Sequence, residues 1–194
     1  MPNYKLTYFN FKGRGEILRY IFAYTNTPFE DHRIEYSDWA AHKSSYPYGK
    51  LPVLEIDGVI YSQSLAISRY LAKPAGLRGK TEIDDLNIDI TVDHLDDLVT
   101  LFPWEGDEKK IKEYMEKNVH PTLSGLEKAL GDKKWFAGDY VTWADFFWDN
   151  CCDMFGHHQP GFENAYPHLL ALRKRVQEIP AIAAWIKKRP ESLF

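Results

Sequence analysis

The chain has 194 residues, 44% hydrophobic and 15% aromatic, with 24 basic against 28 acidic side chains for a formal charge of −4. So many aromatics exclude a disordered chain, and the acidic balance excludes a nucleic-acid binder, which needs a basic footprint. No apolar run approaches the ~20 residues of a membrane helix, the opening MPNYKLTYFN lacks a signal peptide's apolar core, and adjacent Cys151 and Cys152 cannot staple a secreted scaffold. The expectation is a soluble, cytoplasmic protein of two layers or two small domains.

Tyr4–Phe9 reads as a strand with Tyr4, Leu6 and Tyr8 on one face. After Gly13-Arg14-Gly15 loosens the backbone, Glu16–Tyr24 reads as a helix with Ile17, Leu18, Ile21 and Phe22 as its apolar stripe. Phe29–Ile34 is a weaker strand. Val53–Ile56 and Val59–Ser62 flank Asp57-Gly58, residues suited to the two positive-φ positions of a type I′ turn, so a hairpin is expected. Ser64–Leu71 reads as a helix. The Pro/Gly-rich run Pro74–Gly79 marks a boundary. Residues 1–75 therefore form an α/β domain, 76–81 a linker, and 82–194 an all-α domain. Within the last, Thr142 and Asp145 read as a capping box, with Val141 and Phe146 as its hydrophobic staple. Leu169, Leu172 and Val176 mark one later helix, and Ile182, Trp185 and Ile186 another. The basic runs Arg173-Lys174-Arg175 and Lys187-Lys188-Arg189 read as solvated helix faces.

Several chemistries are missing from the sequence. Without C-x-x-C there is no dithiol redox centre. Gly13-Arg14-Gly15 is too short for a dinucleotide fingerprint, and no phosphate-binding G-x-x-x-x-G-K-[ST] occurs. His157-His158 has the wrong spacing for two ligands on one helical face. No G-x-S-x-G nucleophile motif is found. Two features remain. Pro52 in Lys50-Leu51-Pro52-Val53 opens a strand. A cis peptide there would leave backbone groups facing outward to pair with an extended peptide ligand. At Gln63-Ser64, Ser64 is placed to cap a helix whose N-terminus would hold a carboxylate. Pro52 as a simple strand breaker and Ser64 as a simple cap are the plainer alternatives. Asp85, Asp89, Asp93, Asp96 and Asp97 share a helical face by their spacing. The plain reading is a solvated face whose upstream members favour the helix N-terminus.

In combination, a tyrosine ending the first strand, K-L-P-V-L, D-G, Q-S-x-A-I-x-R-Y-L and T-W-A-D resemble the cytosolic glutathione transferases over essentially the whole chain. PNYKLTYFN, EDHRIE and Phe102-Pro103-Trp104 place the likeness in the sigma class. The resemblance implies a thioredoxin-like N-terminal domain, an all-helical C-terminal domain and a homodimer. It implies that Tyr8, supported by Arg14, hydrogen-bonds the glutathione sulfur and favours its thiolate. Trp39, Lys43 and Lys50 would hold the glycine end of the tripeptide. Leu51, beside Pro52, would pair with its cysteinyl part, and Gln63 and Ser64 would take the γ-glutamyl carboxylate. Asp97 would reach across the dimer to the partner's glutathione.

The resemblance also implies a pocket for a hydrophobic electrophile formed by Phe9, Phe11, Gly13, Arg14, Val99, Trp104, Phe147, Cys151 and Phe194. It further implies a Ca²⁺ or Mg²⁺ site at the dimer interface from Asp93, Asp96 and Asp97. The activity implied is conjugation of glutathione to electrophiles and, in one branch of the class, isomerisation of prostaglandin H2 to prostaglandin D2. Phe147, Phe11, the Glu105–Lys112 stretch and Gly156-His157-His158 depart from that branch and bear on pocket shape. The competing reading is a non-catalytic relative, a crystallin-like structural protein or a carrier of hydrophobic ligands.

Overall fold

The computed structural model describes residues 2–192. Four strands and nine α-helices follow in order among them: β1 (Tyr4–Phe9), α1 (Glu16–Tyr24), β2 (Glu30–Ile34), α2 (Trp39–His42), β3 (Val53–Ile56), β4 (Val59–Ser62), α3 (Ser64–Ala72), α4 (Glu82–Leu101), α5 (Glu108–Tyr114), α6 (His120–Leu130), α7 (Trp143–His158), α8 (Pro167–Gln177) and α9 (Pro180–Lys188). The α/β-then-helical order expected from the sequence is present. The sequence pattern places no element between β2 and β3. The structure has a run of short helical turns there, over Tyr36–Gly49.

The chain forms two compact units. One takes in residues up to Leu77 and again from Glu178, and the other spans Arg78–Gln177. In the first, the sheet order is β2-β1-β3-β4, with β1 parallel to β2 and antiparallel to β3. Because β1 is central, both its faces are covered: Leu6 and Thr7, on opposite faces, are 0% and 3% exposed. Asp57 and Gly58 have φ of 50° and 85°, as the hairpin turn requires. Asp57 Oδ1 also accepts the Asn3 N–H at 2.9 Å. The apolar stripe of α1 is buried as expected, but so are Glu16 and Arg19. The terminal helix α9 packs against α1 in this unit, whereas the sequence pattern groups everything after residue 82.

In the second unit, α4 opens with a reciprocal cap: Asp84 N–H to Thr81 Oγ1 at 3.1 Å, and Thr81 N–H to Asp84 Oδ2 at 3.0 Å. Helix α7 is buried almost throughout its first ten residues. Its start is tied down as the capping-box reading expects. The Asp145 carboxylate accepts from the Thr142 N–H at 2.7 Å, the Thr142 hydroxyl at 3.1 Å and the Phe136 N–H at 2.9 Å. Two basic side chains read as solvated are not. Arg173 clamps Asp149, Asp153 and Glu163 at 3.2, 2.8 and 2.6 Å, and Arg189 binds buried Glu16 at 3.0 Å. The physical reason is that carboxylates on neighbouring elements cannot be buried without a partner, and local pattern does not show which elements are neighbours. No described helix is long and apolar enough to cross a membrane.

Candidate active site

Tyr8 sits near the end of β1, where the chain turns through residues 10–15 into α1. The glycines of that turn are there for Tyr8. A Cβ on Gly13 would lie 2.7 Å from the Tyr8 hydroxyl, and one on Gly15 would lie 2.5 Å from its ring. Gly13 also has a φ of +38°, which a side chain would resist. With both positions bare, the turn closes onto the ring and the Arg14 N–H donates to the Tyr8 hydroxyl at 3.1 Å. That bond fills an acceptor position of the phenol, so the phenolic proton is free to be donated elsewhere. Burial raises the Tyr8 pKa, while the Arg14 amide and the charges of Arg14 and Arg19 pull it back. Because the pKa stays above the usual phenol value, Tyr8 remains a neutral donor at neutral pH.

Arg19 was not among the expected site residues. It is fully buried, and its guanidinium carbon lies 5.9 Å from the centre of the Tyr8 ring. It donates to Glu16 at 3.1 Å, to Asp31 at 3.0 Å and to the carbonyl of Phe11 at 2.9 Å. The signal available in sequence was a lone arginine inside an otherwise apolar helix stripe.

The Leu51–Pro52 peptide is cis, as the sequence reading allowed. Ser64 is not the helix cap expected of it. It is the first residue of α3, and Gln63 is the cap, with its carbonyl accepting the Ile67 N–H at 3.0 Å and no side-chain capping bond. The reason lies in the backbone of Gln63, whose φ of 77° and ψ of 96° turn the chain one residue earlier than a serine cap would. A non-glycine residue held there stores on the order of 1–3 kcal/mol of strain, a pattern concentrated at ligand sites. The Gln63 side chain is exposed and Ser64 is 5% exposed at the positive end of the helix. Trp39 meets Phe9 edge-on at 5.5 Å and stacks on Tyr46 at 6.0 Å. Lys43 and Lys50 are exposed, and the Lys43 stem lies over Gly49. Phe9 and Phe11 stack on each other at 5.2 Å, and both touch Tyr8. All these residues belong to the first unit.

The other expected residues lie in the second unit or outside the described residues. Asp93 and Asp97 are exposed and Asp96 half-buried on α4. Trp104 is held by an Nε1 bond to the Val99 carbonyl at 3.1 Å and packs on Phe102 and His158 at 4.5 and 5.7 Å. Val99, Phe147 and Cys151 are buried at 3%, 1% and 0%. Cys151 and Cys152 are both buried thiols outside any disulfide, and burial pushes Cys152 well above the usual thiol range. Phe194 lies outside the described residues. Among the described residues, no group of three or more His, Cys, Asp or Glu converges as metal ligands.

The family model for the glutathione S-transferase N-terminal domain matches residues 4–73, and that for the C-terminal domain matches 93–189. The chain belongs to the glutathione S-transferase family. It is 52% identical to hematopoietic prostaglandin D synthase of Mus musculus over 197 aligned positions, covering 99% of each chain. It is 39% identical to S-crystallin SL11 of Nototodarus sloanii, covering all of both. The solved structure of rat hPGDS complexed with a quinoline superposes at a TM-score of 0.95, with 49% identity and full coverage of both chains. The transferase fold seen here, a four-stranded mixed sheet in one unit and a helical second unit, is the fold of that family. Glutathione is the family's cosubstrate.

Proposed function

We propose that this transferase activates glutathione as a thiolate at Tyr8, conjugates it to hydrophobic electrophiles and isomerises prostaglandin H2 to prostaglandin D2. The observation that carries the reading is the Tyr8 hydroxyl, buried in a glycine cradle, with an acceptor position filled by the Arg14 N–H at 3.1 Å. A free thiol titrates near ~8.5, so little thiolate exists at neutral pH. A phenol that donates more strongly to S⁻ than to SH lowers that pKa, and a shift of about two units corresponds to roughly 2.7 kcal/mol. Gln63 and Ser64 would bind the γ-glutamyl carboxylate, Trp39, Lys43 and Lys50 the glycine end, and Leu51 beside Pro52 the cysteinyl backbone. Phe9, Phe11, Gly13, Val99, Trp104, Phe147, Cys151 and Phe194 would serve the second substrate.

In the isomerase reaction the thiolate attacks one endoperoxide oxygen. The O–O bond breaks as the S–O bond forms, and the other oxygen takes a proton. A base then removes the hydrogen from the carbon bearing the S–O group. The carbonyl forms, the S–O bond breaks, and glutathione thiolate leaves unchanged. In conjugation the sulfur instead stays on carbon and the electrophile's leaving group departs. High identity to hematopoietic prostaglandin D synthases supports the first reaction. The likeness to an S-crystallin keeps the structural reading as the alternative. The Arg14–Tyr8 arrangement favours the enzyme, because a purely structural protein has no need to orient a phenolic proton.

The protein acts as a homodimer in this proposal, with Asp97 of one copy reaching the other's glutathione. Asp93, Asp96 and Asp97 offer hard oxygen donors suited to Ca²⁺ or Mg²⁺. In this proposal the ion is shared between two copies. Sedimentation tests the dimer, and isothermal titration at millimolar Ca²⁺, with and without glutathione, tests the cation.

The deciding experiment is the ultraviolet difference spectrum of bound glutathione against pH, for the native protein and Tyr8→Phe, followed by product analysis with prostaglandin H2. Thiolate absorbance near neutral pH that moves to higher pH in the variant supports activation. Identical curves overturn it. Formation of prostaglandin D2 without loss of glutathione supports the isomerase, and a sulfur adduct alone restricts the enzyme to conjugation.

A further inference from the structure

The Tyr8 turn and the terminal helix α9 share one buried carboxylate. Glu16 is 1% exposed. Its Oε2 accepts from Arg19 at 3.1 Å, while its Oε1 faces α9 and accepts from Trp185 Nε1 at 2.7 Å and Arg189 Nη1 at 3.0 Å. Arg189 also reaches the Tyr20 hydroxyl at 3.3 Å. On the other side, Arg19 donates to the carbonyls of Phe11 at 2.9 Å and Phe9 at 3.4 Å, in the turn that closes on Tyr8. A continuous path of charge-assisted hydrogen bonds therefore joins α9, through Glu16 and Arg19, to the backbone around the phenol.

The electrostatics give the path a direction. The positive field that Arg19 exerts at Tyr8 is what remains after Glu16 and Asp31 have offset its charge. Glu16 divides its own charge among Arg19, Arg189 and the Trp185 N–H. If the α9 donors are removed, Glu16 bears wholly on Arg19, and the field at the phenol weakens. In a buried site such a change is felt more strongly than in water. Losing the tie also loosens the turn that presents the Arg14 N–H.

We infer that Glu16 and Arg19 are positioning residues, and that α9, through Trp185 and Arg189, sets how strongly the Tyr8 turn favours a bound thiolate. The inference rests on the proposed role of Tyr8 as thiol activator. It gives the end of the chain a part in tuning the reaction through side chains that need not touch either substrate.

The test titrates the thiolate absorbance of saturating glutathione on the native protein, Arg189→Gln, Arg189→Lys, Trp185→Phe and Tyr8→Phe, with the melting temperature of each. Arg189→Gln and Trp185→Phe are expected to raise the apparent thiol pKa by about half to one unit, roughly 3- to 10-fold less thiolate at neutral pH. The kcat should fall by the same factor with the KM for glutathione unchanged, and Arg189→Lys should recover much of the loss. Placed in the Tyr8→Phe background, Arg189→Gln should move the pKa no further. Lower melting temperatures with an unmoved thiol pKa would reduce the path to a structural tie. An equal shift in the Tyr8→Phe background would show that the effect bypasses Tyr8 and would overturn the inference. If native protein and Tyr8→Phe titrate alike, the activation reading has failed first, and the inference fails with it.

Discussion

Both compact units set an arginine among carboxylates, and the two clusters grip different parts of the backbone. In the first unit Arg19 is fully buried between Glu16 and Asp31, and spends two further bonds on carbonyls of the Tyr8 turn. In the second, Arg173 is 18% exposed, and its ion pairs run to Asp149 and Asp153 of α7 and to Glu163 in the turn before α8. One cluster holds the turn beside the Tyr8 phenol and the other ties α7 to the elements that follow it. The contrast teaches that a buried ion cluster acquires a functional role from the backbone it grips, since the charges themselves are alike.

The contrast can be broken most severely at Arg173. Arg173→Met would strand three carboxylates, a loss of about 3–5 kcal/mol. Calorimetry should show a melting temperature lower by roughly 10 °C, with turnover per folded molecule retained. A variant as stable as the native protein would show that the cluster contributes little. Tyr8→Phe should behave in the opposite way. Turnover is expected to fall on the order of 10²–10³-fold, while glutathione affinity by calorimetry and the melting temperature stay close to native values.

Asp145 sharpens the comparison through pH. Burial raises its carboxyl to about 6 despite hydrogen bonds from Phe136, from Thr142 and from its own amide that favour the charged form. Between the ordinary carboxyl value and about 6, the folded state holds a proton that the unfolded state releases. The contribution to stability is full below the unfolded pKa and is lost as pH rises through the folded one, by about 3 kcal/mol. Asp145→Asn, which cannot ionise, is expected to remove that part of the slope in a plot of melting temperature against pH from 4 to 6. An unchanged slope would place the titration elsewhere. The smallest effect is expected at the start of α4. Thr81→Ala removes one side of its reciprocal cap and should cost about 1 kcal/mol in chemical denaturation, with no change in activity.

Much of the architecture was legible because local signals agreed with the fold. The Asp57-Gly58 hairpin, the α1 stripe and the Thr142–Asp145 box each depend on residues close in sequence, and each is present. The turns over Tyr36–Gly49 were not legible, because they lack hydrophobic periodicity and owe their shape partly to rings such as Trp39 on Tyr46. Ser64 was displaced from the cap by a single strained backbone at Gln63, which no residue preference announces. Arg173 and Arg189 looked solvated because their partners lie 10 to 24 and 169 to 173 residues away.

The sequence by itself determined the family and the α/β-then-helical order, since these follow from motif order, periodicity and turn chemistry, and through the resemblance it pointed to Tyr8 and Arg14 as the residues to watch. Only the tertiary structure decided that Gly13 and Gly15 are bare because the Tyr8 ring occupies their space. It alone decided that Glu16 and Arg19 are buried together, and that α9 packs against α1. The physical reason is common to all three. Desolvating a charge, or fitting a ring against a backbone, is settled by neighbours brought in from far along the chain, and local pattern carries no record of them.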